Sequence, residues 1–372
     1  MKRLTILVCL LSFAVFSAWS QESRVNVKAV LESIEKNNPQ LNALRKNNEA
    51  FIAELKTQNT LGETNVEFSP FFRKGTDGMA SSELVVSQDF DFPTLYASRR
   101  KSVALQQGVL EQDYLVLRRD LFLQAQNLCA DLTTALENAL LLGERMTAVD
   151  SLLNFCDKRL KYGNATIMEL NRVKMDRMTV MTELVQNDGE KNRLLLELAK
   201  LGAKEVQYVS DSTVWANDDL KGCDEARALA AVESAKHDVK VSQQGWLPKL
   251  SVGYRRNTEA EENALNGMLV GLSFPLFSNS QKVKATRLRQ SATEQEMENM
   301  RLQIENRKQT LLTEAENLRR VIDAYDVPLM KQSLNILMRA VKAGELSIMD
   351  YYTEADKVNA MLQTRLSAVN RY

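Results

Sequence analysis

The side chains that most often do chemistry are scarce in this sequence and poorly spaced for it. His237 is the single histidine among 372 residues. That excludes any multi-histidine metal site and leaves acid–base catalysis without its usual group. Beyond the N-terminal leader the cysteines are Cys129, Cys156 and Cys223. Their odd number and their spacing match no disulfide framework or zinc site. Cys156 falls on an apolar helical stripe, where a free thiol acts as a small hydrophobe, and all three read as structural. The 14 methionines invite copper ligation, but they are scattered at helical spacings, and packing is the better account. No nucleophile–base pair, phosphate loop or metal spacing is present. The expectation is a protein that is not an enzyme and carries no cofactor or metal.

What repeats is a turn. Residues 160–169 read LKYGNATIME and residues 341–350 read VKAGELSIMD, 181 positions later. In both, Gly163 or Gly344 would end a long helix as the residue after its C-cap. Thr166 and Ser347 would then cap the next helix, with Glu169 and Asp350 three residues on as capping boxes. Taken alone each glycine is only an αα-hairpin turn; the duplication points to a function at the tip.

The elements that carry these turns follow from the breakers. Only 14 Gly and 6 Pro occur, with 26% charged residues, as long helices require. Four prolines (Pro70, Pro93, Pro248, Pro275) and seven of the glycines fall in two windows, 62–93 and 245–275. There the period drops from about 3.6 to 2. Leu250, Val252 and Tyr254 alternate with Ser251, Gly253 and Arg255; Val270, Leu272 and Phe274 alternate with Leu269, Gly271 and Ser273; Val66 and Phe68 alternate with Asn65, Glu67 and Ser69. Each window is a β-hairpin.

After the first hairpin, Leu121, Ala125, Leu128, Leu132, Ala135, Ala139, Leu142, Met146, Val149, Leu153, Cys156 and Leu160 step alternately by four and three. That is a coiled-coil seam. Met297, Ile304, Leu311, Leu318 and Tyr325 form a matching run after the second hairpin, with Ala315, Ile322, Leu329 and Ile336 between, and Pro328 is expected to kink that helix. At about 1.5 Å per residue, 94–162 and 278–343 each span ~100 Å. Segments 164–202 and 219–245 return over the first, and 346–372 with 27–60 over the second. The organisation is therefore a signal peptide (1–20), an N-terminal helix (21–61), a first β-hairpin (62–93), a first helical hairpin (94–202, tip at 163), an insert (203–218), a helix (219–245), a second β-hairpin (246–276) and a second helical hairpin (277–372, tip at 344).

The leader is read from Lys2 and Arg3, the apolar run Leu4–Trp19 and small residues at Ala18 and Ser20. Cys9 lies inside the apolar run, which argues against a lipid anchor. Formal charge is balanced at 48 against 48; loss of Lys2 and Arg3 makes the mature chain slightly acidic. A nucleic-acid partner would need a basic field. No later segment is long and apolar enough for a membrane helix, so entry into a bilayer must be by strands. Four strands cannot close a barrel with a lumen, whereas three chains supply twelve.

Two hairpins, ~100 Å helices and duplicated glycine turns resemble the TolC family of outer-membrane efflux proteins over residues 27–372. The most specific stretches are YGNATIMEL, AGELSIMDYY and SFPLFSNSQK, the last similar to the family's passage from strand to helix. FDFPTLYASRRK is the corresponding first passage and is similar to the metal-efflux branch. The resemblance implies a mainly α fold with short β-hairpins, a homotrimer with a 12-stranded outer-membrane barrel on a periplasmic α-barrel, and a passive exit duct of a tripartite efflux or secretion system. It implies as partners a periplasmic adaptor, an inner-membrane pump reached through it, and outer-membrane lipid. Gly163, Asn164, Ala165 and Thr166, with Gly344, Glu345, Leu346 and Ser347, would form the tips that meet the adaptor. Asp350 takes the place of a family acid lining the closed aperture. A second family acid falls at Thr353, beside Glu354, and Glu169 is the first-half counterpart. Asp350, Glu354 and Glu169 would thus form an acidic ring that selects cations; their alternative role is to complement helix dipoles. Ser98-Arg99-Arg100-Lys101 would meet lipid headgroups or simply open a charged helix. A periplasmic coiled-coil adaptor or scaffold is the alternative function, although an adaptor would place one helical hairpin between β-rich domains.

Overall fold

The computed structural model describes residues 27–57, 59–75, 78–204, 222–259, 264–275 and 279–372. The leader, and all but the first two residues of the 203–218 insert, lie outside them. The elements are α1 (Val27–Asn37), α2 (Pro39–Thr57), β1 (Thr64–Phe71), β2 (Ser81–Phe90), α3 (Pro93–Lys161), α4 (Ile167–Lys200), α5 (Cys223–Gln244), β3 (Lys249–Glu259), β4 (Leu265–Ser273), α6 (Ser280–Ala324), α7 (Val327–Ala343) and α8 (Ile348–Arg371). They fall into two compact units: a sheet unit from 41–117 and 219–305, and a helical unit from the remaining residues.

In the sheet unit the two hairpins join. β2 pairs with β3, giving one antiparallel sheet of order β1-β2-β3-β4. The register aligns Val66, Val86, Tyr254 and Met268 in one row and Gln88, Val252 and Val270 in another. Since side chains alternate faces, the even-numbered residues share one face. That face carries Val66, Phe68, Leu84, Val86, Leu250, Tyr254, Met268, Val270 and Leu272, most of them exposed. The odd-numbered face carries Asn65, Glu67, Ser87, Ser251, Arg255 and Asn257, with Arg255 Nε 2.6 Å from Glu83 Oε1. Gly253 is on this second face, where a Cβ would come within 2.6 Å of the Val86 carbonyl oxygen; no other residue fits so close an approach. Both outer strands, β1 and β4, leave an open edge.

Around the sheet, Ser102 Oγ donates to Asp238 Oδ1 at 2.6 Å and His237 Nε2 lies 2.9 Å from the Ser98 carbonyl oxygen. His237 is thus tied to backbone. Within the basic run, Arg99 pairs with Asp91 at 2.7 Å.

The helical unit is built on the expected α3 seam. Leu121, Ala125, Leu128, Leu132, Ala135, Leu142, Val149 and Cys156 are buried, and the four remaining seam positions are half-buried. The second seam behaves differently: α6 buries none of its 45 residues. Two helices expected as continuous are broken. Residues 27–60 divide at Asn38, because the residue before a proline is disfavoured in helical geometry. Asn38 caps α2 through a 2.9 Å bond from the Gln40 N–H and donates at 2.9 Å to the Leu201 carbonyl where α4 ends. The helix carrying Pro328 does not merely kink. It stops at Ala324 and restarts with Asp326 as N-cap, which accepts from the Leu329 N–H at 3.0 Å; Pro328 lacks an N–H and fits the first turn at no cost. Among the described residues no helix is long and apolar enough to cross a membrane.

Candidate functional site: the paired helical tips

Both tips close in the same way. The Asn164 N–H bonds to the Arg159 carbonyl at 2.9 Å and the Gly163 N–H to Leu160 at 3.0 Å; the Glu345 N–H bonds to Ala340 at 2.9 Å and the Gly344 N–H to Val341 at 3.1 Å. This doubled bond is the Schellman motif, and it needs a left-handed residue: Gly163 has φ +75° and Gly344 φ +79°. Thr166 then caps α4. Its Oγ1 accepts from the Glu169 N–H at 3.2 Å, and its own N–H donates to Glu169 Oε2 at 2.7 Å, a complete capping box. Ser347 caps α8 by accepting from the Asp350 N–H at 3.1 Å, but its hydroxyl, not its N–H, donates to Asp350 Oδ2 at 2.6 Å. Asp is one methylene shorter than Glu, and its carboxylate stays at the hydroxyl.

The two tips share one core. Val149, Leu152 and Cys156 of α3 pack with Leu170, Val173 and Val180 of α4, Val341 of α7, and Ile348, Tyr351, Tyr352 and Ala355 of α8. Burial raises the Cys156 thiol, with the nearby Glu169 carboxylate adding to the effect. Burial also holds the Tyr351 hydroxyl up at about 12 and raises Tyr352 further still; Asp176 is the next cause for both.

Beside this core lies a charged cluster. Arg145 Nη2 is 2.6 Å from Asp176 Oδ1, Arg145 Nη1 is 3.2 Å from Glu183, and Asp356 of α8 is 3.8 Å away. Arg172 reaches Asp356 at 3.4 Å and stacks over the Tyr352 ring, 4.9 Å from its centroid. A cleft of about 980 Å³ opens alongside, between α3, α4, α7 and α8. Amides cross it in a chain: Gln363 donates to Asn138 at 2.6 Å, Asn138 to Asn187 at 2.9 Å, and Asn187 to the Ala135 carbonyl at 2.9 Å.

Links between the two helical hairpins bear on the height of one tip against the other. Counted from the two glycines, Asn138 and Gln363 differ by six residues, as do Arg145 and Asp356, Asp131 and Asn370, and Glu144 and Lys331. These four set the Gly344 tip back from the Gly163 tip by six residues, ~9 Å at the helical rise; Ser151 with Lys342 gives ten, and Arg172 with Asp356 gives three in the opposite sense, so the set-back varies along the arms.

Each sequence-chosen residue can now be placed. Gly163, Asn164 and Thr166 are exposed, with Ala165 half-buried; Gly344, Glu345 and Ser347 are exposed, with Leu346 half-buried. Tyr162, Ile167, Met168 and Met349 add exposed apolar surface beside them. Glu169 is spent in its capping box, Asp350 in its cap, and Glu354 pairs with Lys357 at 2.8 Å. With the stagger, the three acids stand at three heights. The Arg145–Asp176–Asp356 cluster was not foreseen. Its signal was Asp176, a charged residue on the stripe Leu170, Val173, Val180, where an apolar one is the rule. Met175, Met178 and Met181 of α4 are exposed among the described residues. Among the described residues no cluster of metal-ligating side chains is found, and Cys129, Cys156 and Cys223 are buried and form no disulfide.

No protein-family model and no curated protein sequence matches the chain. Solved structures do. The chain superposes on CusC, studied for its folding and transmembrane channel formation, with a TM-score of 0.70 and 15% identity, covering 94% of this chain and 91% of that one. It superposes on the outer membrane protein VceC of Vibrio cholerae with a TM-score of 0.72 and 13% identity, covering 93% and 92%. The outer membrane channel CmeC of Campylobacter jejuni gives 0.69 and 14%, covering 95% and 86%. This chain therefore has the fold shared by these outer-membrane proteins, the mainly helical fold with short β-hairpins that its turns and breakers led one to expect.

Proposed function

We propose that this chain is one third of an outer-membrane exit duct in a tripartite efflux or secretion system. Three copies close their strands into a twelve-stranded barrel through the outer membrane, and their helical arms extend into the periplasm. The observation that carries the reading is the sheet. One face is largely apolar and mostly exposed, the other is largely polar, and among the described residues both edges are unpaired. An open edge is excluded from hydrocarbon, and four strands are too few to close a lumen, so the edges must meet those of other copies. The channel fold and the unburied α6 seam support the same assembly.

In this reading the tips at Gly163–Thr166 and Gly344–Ser347 dock a periplasmic adaptor and, through it, an inner-membrane pump. The exposed Tyr162, Ile167, Met168 and Met349 provide apolar contact for it. Asp350 and Glu354 line the aperture, with Glu169 forming a separate, more distal ring. The duct is passive, with no catalysis and no cofactor. The alternative of a periplasmic adaptor or scaffold has less support, because one sheet is served by two long helical hairpins. Membrane fractionation decides between them. The duct requires outer-membrane recovery as heat-modifiable trimers; a purely soluble monomer ends the reading.

A further inference from the structure

Two apolar faces of the helical unit are largely exposed among the described residues. On α4, Met178, Val185 and Leu196 are 63%, 61% and 65% exposed. On the α6–α7 run, Ile336 and Leu329 are 48% and 59% exposed, and Leu318 is half-buried. On α3, by contrast, eight of the twelve seam positions are buried and the other four half-buried, which leaves these two faces as the ones open to a cover from outside the chain.

Their spacing says by what. Along α4 the three residues are separated by seven and then eleven positions; read backwards, Ile336, Leu329 and Leu318 are separated by the same seven and eleven. α4 runs away from its tip glycine and α7 runs towards its own, so the two series run in the same direction in space. Their heights also agree. Met178 lies fifteen residues from Gly163 and Ile336 eight from Gly344, a difference of seven, and the other two pairs differ by the same seven. Four links between the two helical hairpins share a stagger of six residues, and on that value all three pairs fall within one residue, ~1.5 Å, of equal height.

We infer that the Met178–Val185–Leu196 face of one copy seats against the Ile336–Leu329–Leu318 face of the next. The contact is head-to-tail: two different patches of one chain meet around a rotation axis parallel to the helices, the arrangement that closes a ring. Methionine suits a helix that must fit a partner broken at residues 325–326. The assignment rests on the trimeric duct reading and adds which surfaces meet, at which heights.

Cysteine cross-linking tests it. The native thiols are buried, so the wild-type protein, oxidised with copper phenanthroline, gives the background. The double variant Met178→Cys, Ile336→Cys should form covalent dimers and trimers on a non-reducing gel, and neither single variant should. Met178→Cys with Leu318→Cys, set ~27 Å apart in height, should not cross-link. Covalent dimers from Met178→Cys alone would mean like faces meet, and the proposal falls. A double variant that runs as a native trimer without cross-linking overturns the pairing while leaving the duct reading intact. A wild-type protein that is monomeric overturns both.

Discussion

Arg145 holds Asp176, a side chain only 6% exposed, at 2.6 Å, and does so from the helix that precedes the first tip to the helix that follows it. The same guanidinium touches Glu183 and lies near Asp356 on the second hairpin. Removing the arginine leaves a buried carboxylate without its charge partner. Breaking such a pair typically costs about 3–5 kcal/mol. Arg145→Ala should therefore lower the thermal midpoint of the helical signal at 222 nm by the equivalent of about 3 kcal/mol. Adding Asp176→Leu should recover much of that loss, since an apolar residue suits the stripe between Val173 and Val180. Equal losses in the single and double variants would show that the pair is not coupled.

The same cluster marks where sequence reasoning stopped. The α3 seam, both hairpins and both glycine turns were legible because each depends on local rules: period, breakers and φ. The β2–β3 pairing and the six-residue stagger were not, because they depend on contacts between residues far apart in the chain, such as Asn138 and Gln363. The break before Pro328 was read as a kink because Asp326 was not recognised as an N-cap. Met178 is exposed in the single chain; an apolar stripe in sequence does not say which chain will cover it.

Tyr352 is buried with no partner for its hydroxyl among the described residues, and Tyr351 beside it has its hydroxyl held up at about 12 by burial. Both ionise harder folded than unfolded. Their contribution is therefore complete below the ordinary tyrosine value near pH 10; that of Tyr351 is lost as pH rises through about 12, and that of Tyr352 at still higher pH. Alkaline titration of the helical signal should show the arms melting in that window, and Tyr351→Phe should flatten the melt. At pH 7, Tyr352→Phe should leave stability unchanged or raise it by up to ~1 kcal/mol, because it removes an unsatisfied hydroxyl. A loss beyond 1 kcal/mol would reveal a partner for that hydroxyl.

Val270 and Ser251 test the two faces of the sheet. Val270 is on the exposed apolar face, and Ser251 opposes Gly271 on the polar one. If the apolar face meets lipid, Val270→Arg should cost about 2–4 kcal/mol of membrane insertion, read as loss of heat-modifiable trimer from the outer-membrane fraction. Ser251→Arg should insert normally and alter conductance. Normal insertion of both variants would take lipid away from that face.

Asp350 carries the sharpest electrical prediction. It is exposed, just inside the second tip, and its carboxylate takes the Ser347 hydroxyl at 2.6 Å. In a trimer three copies bring three charges to one height, and a ring of carboxylates favours cations over anions. Asp350→Asn keeps an oxygen for Ser347 and the cap on α8, so the helix should fold as before. The ratio of cation to anion permeability in planar bilayers should fall by about twofold or more, and Glu354→Gln should add to the change, since that residue sits one turn further along α8. Glu169 occupies a different height, so Glu169→Gln should act independently of both and should also weaken the cap on α4, by ~1 kcal/mol at most. An unchanged permeability ratio in Asp350→Asn would remove Asp350 from the aperture and leave its carboxylate with the helix-capping role alone.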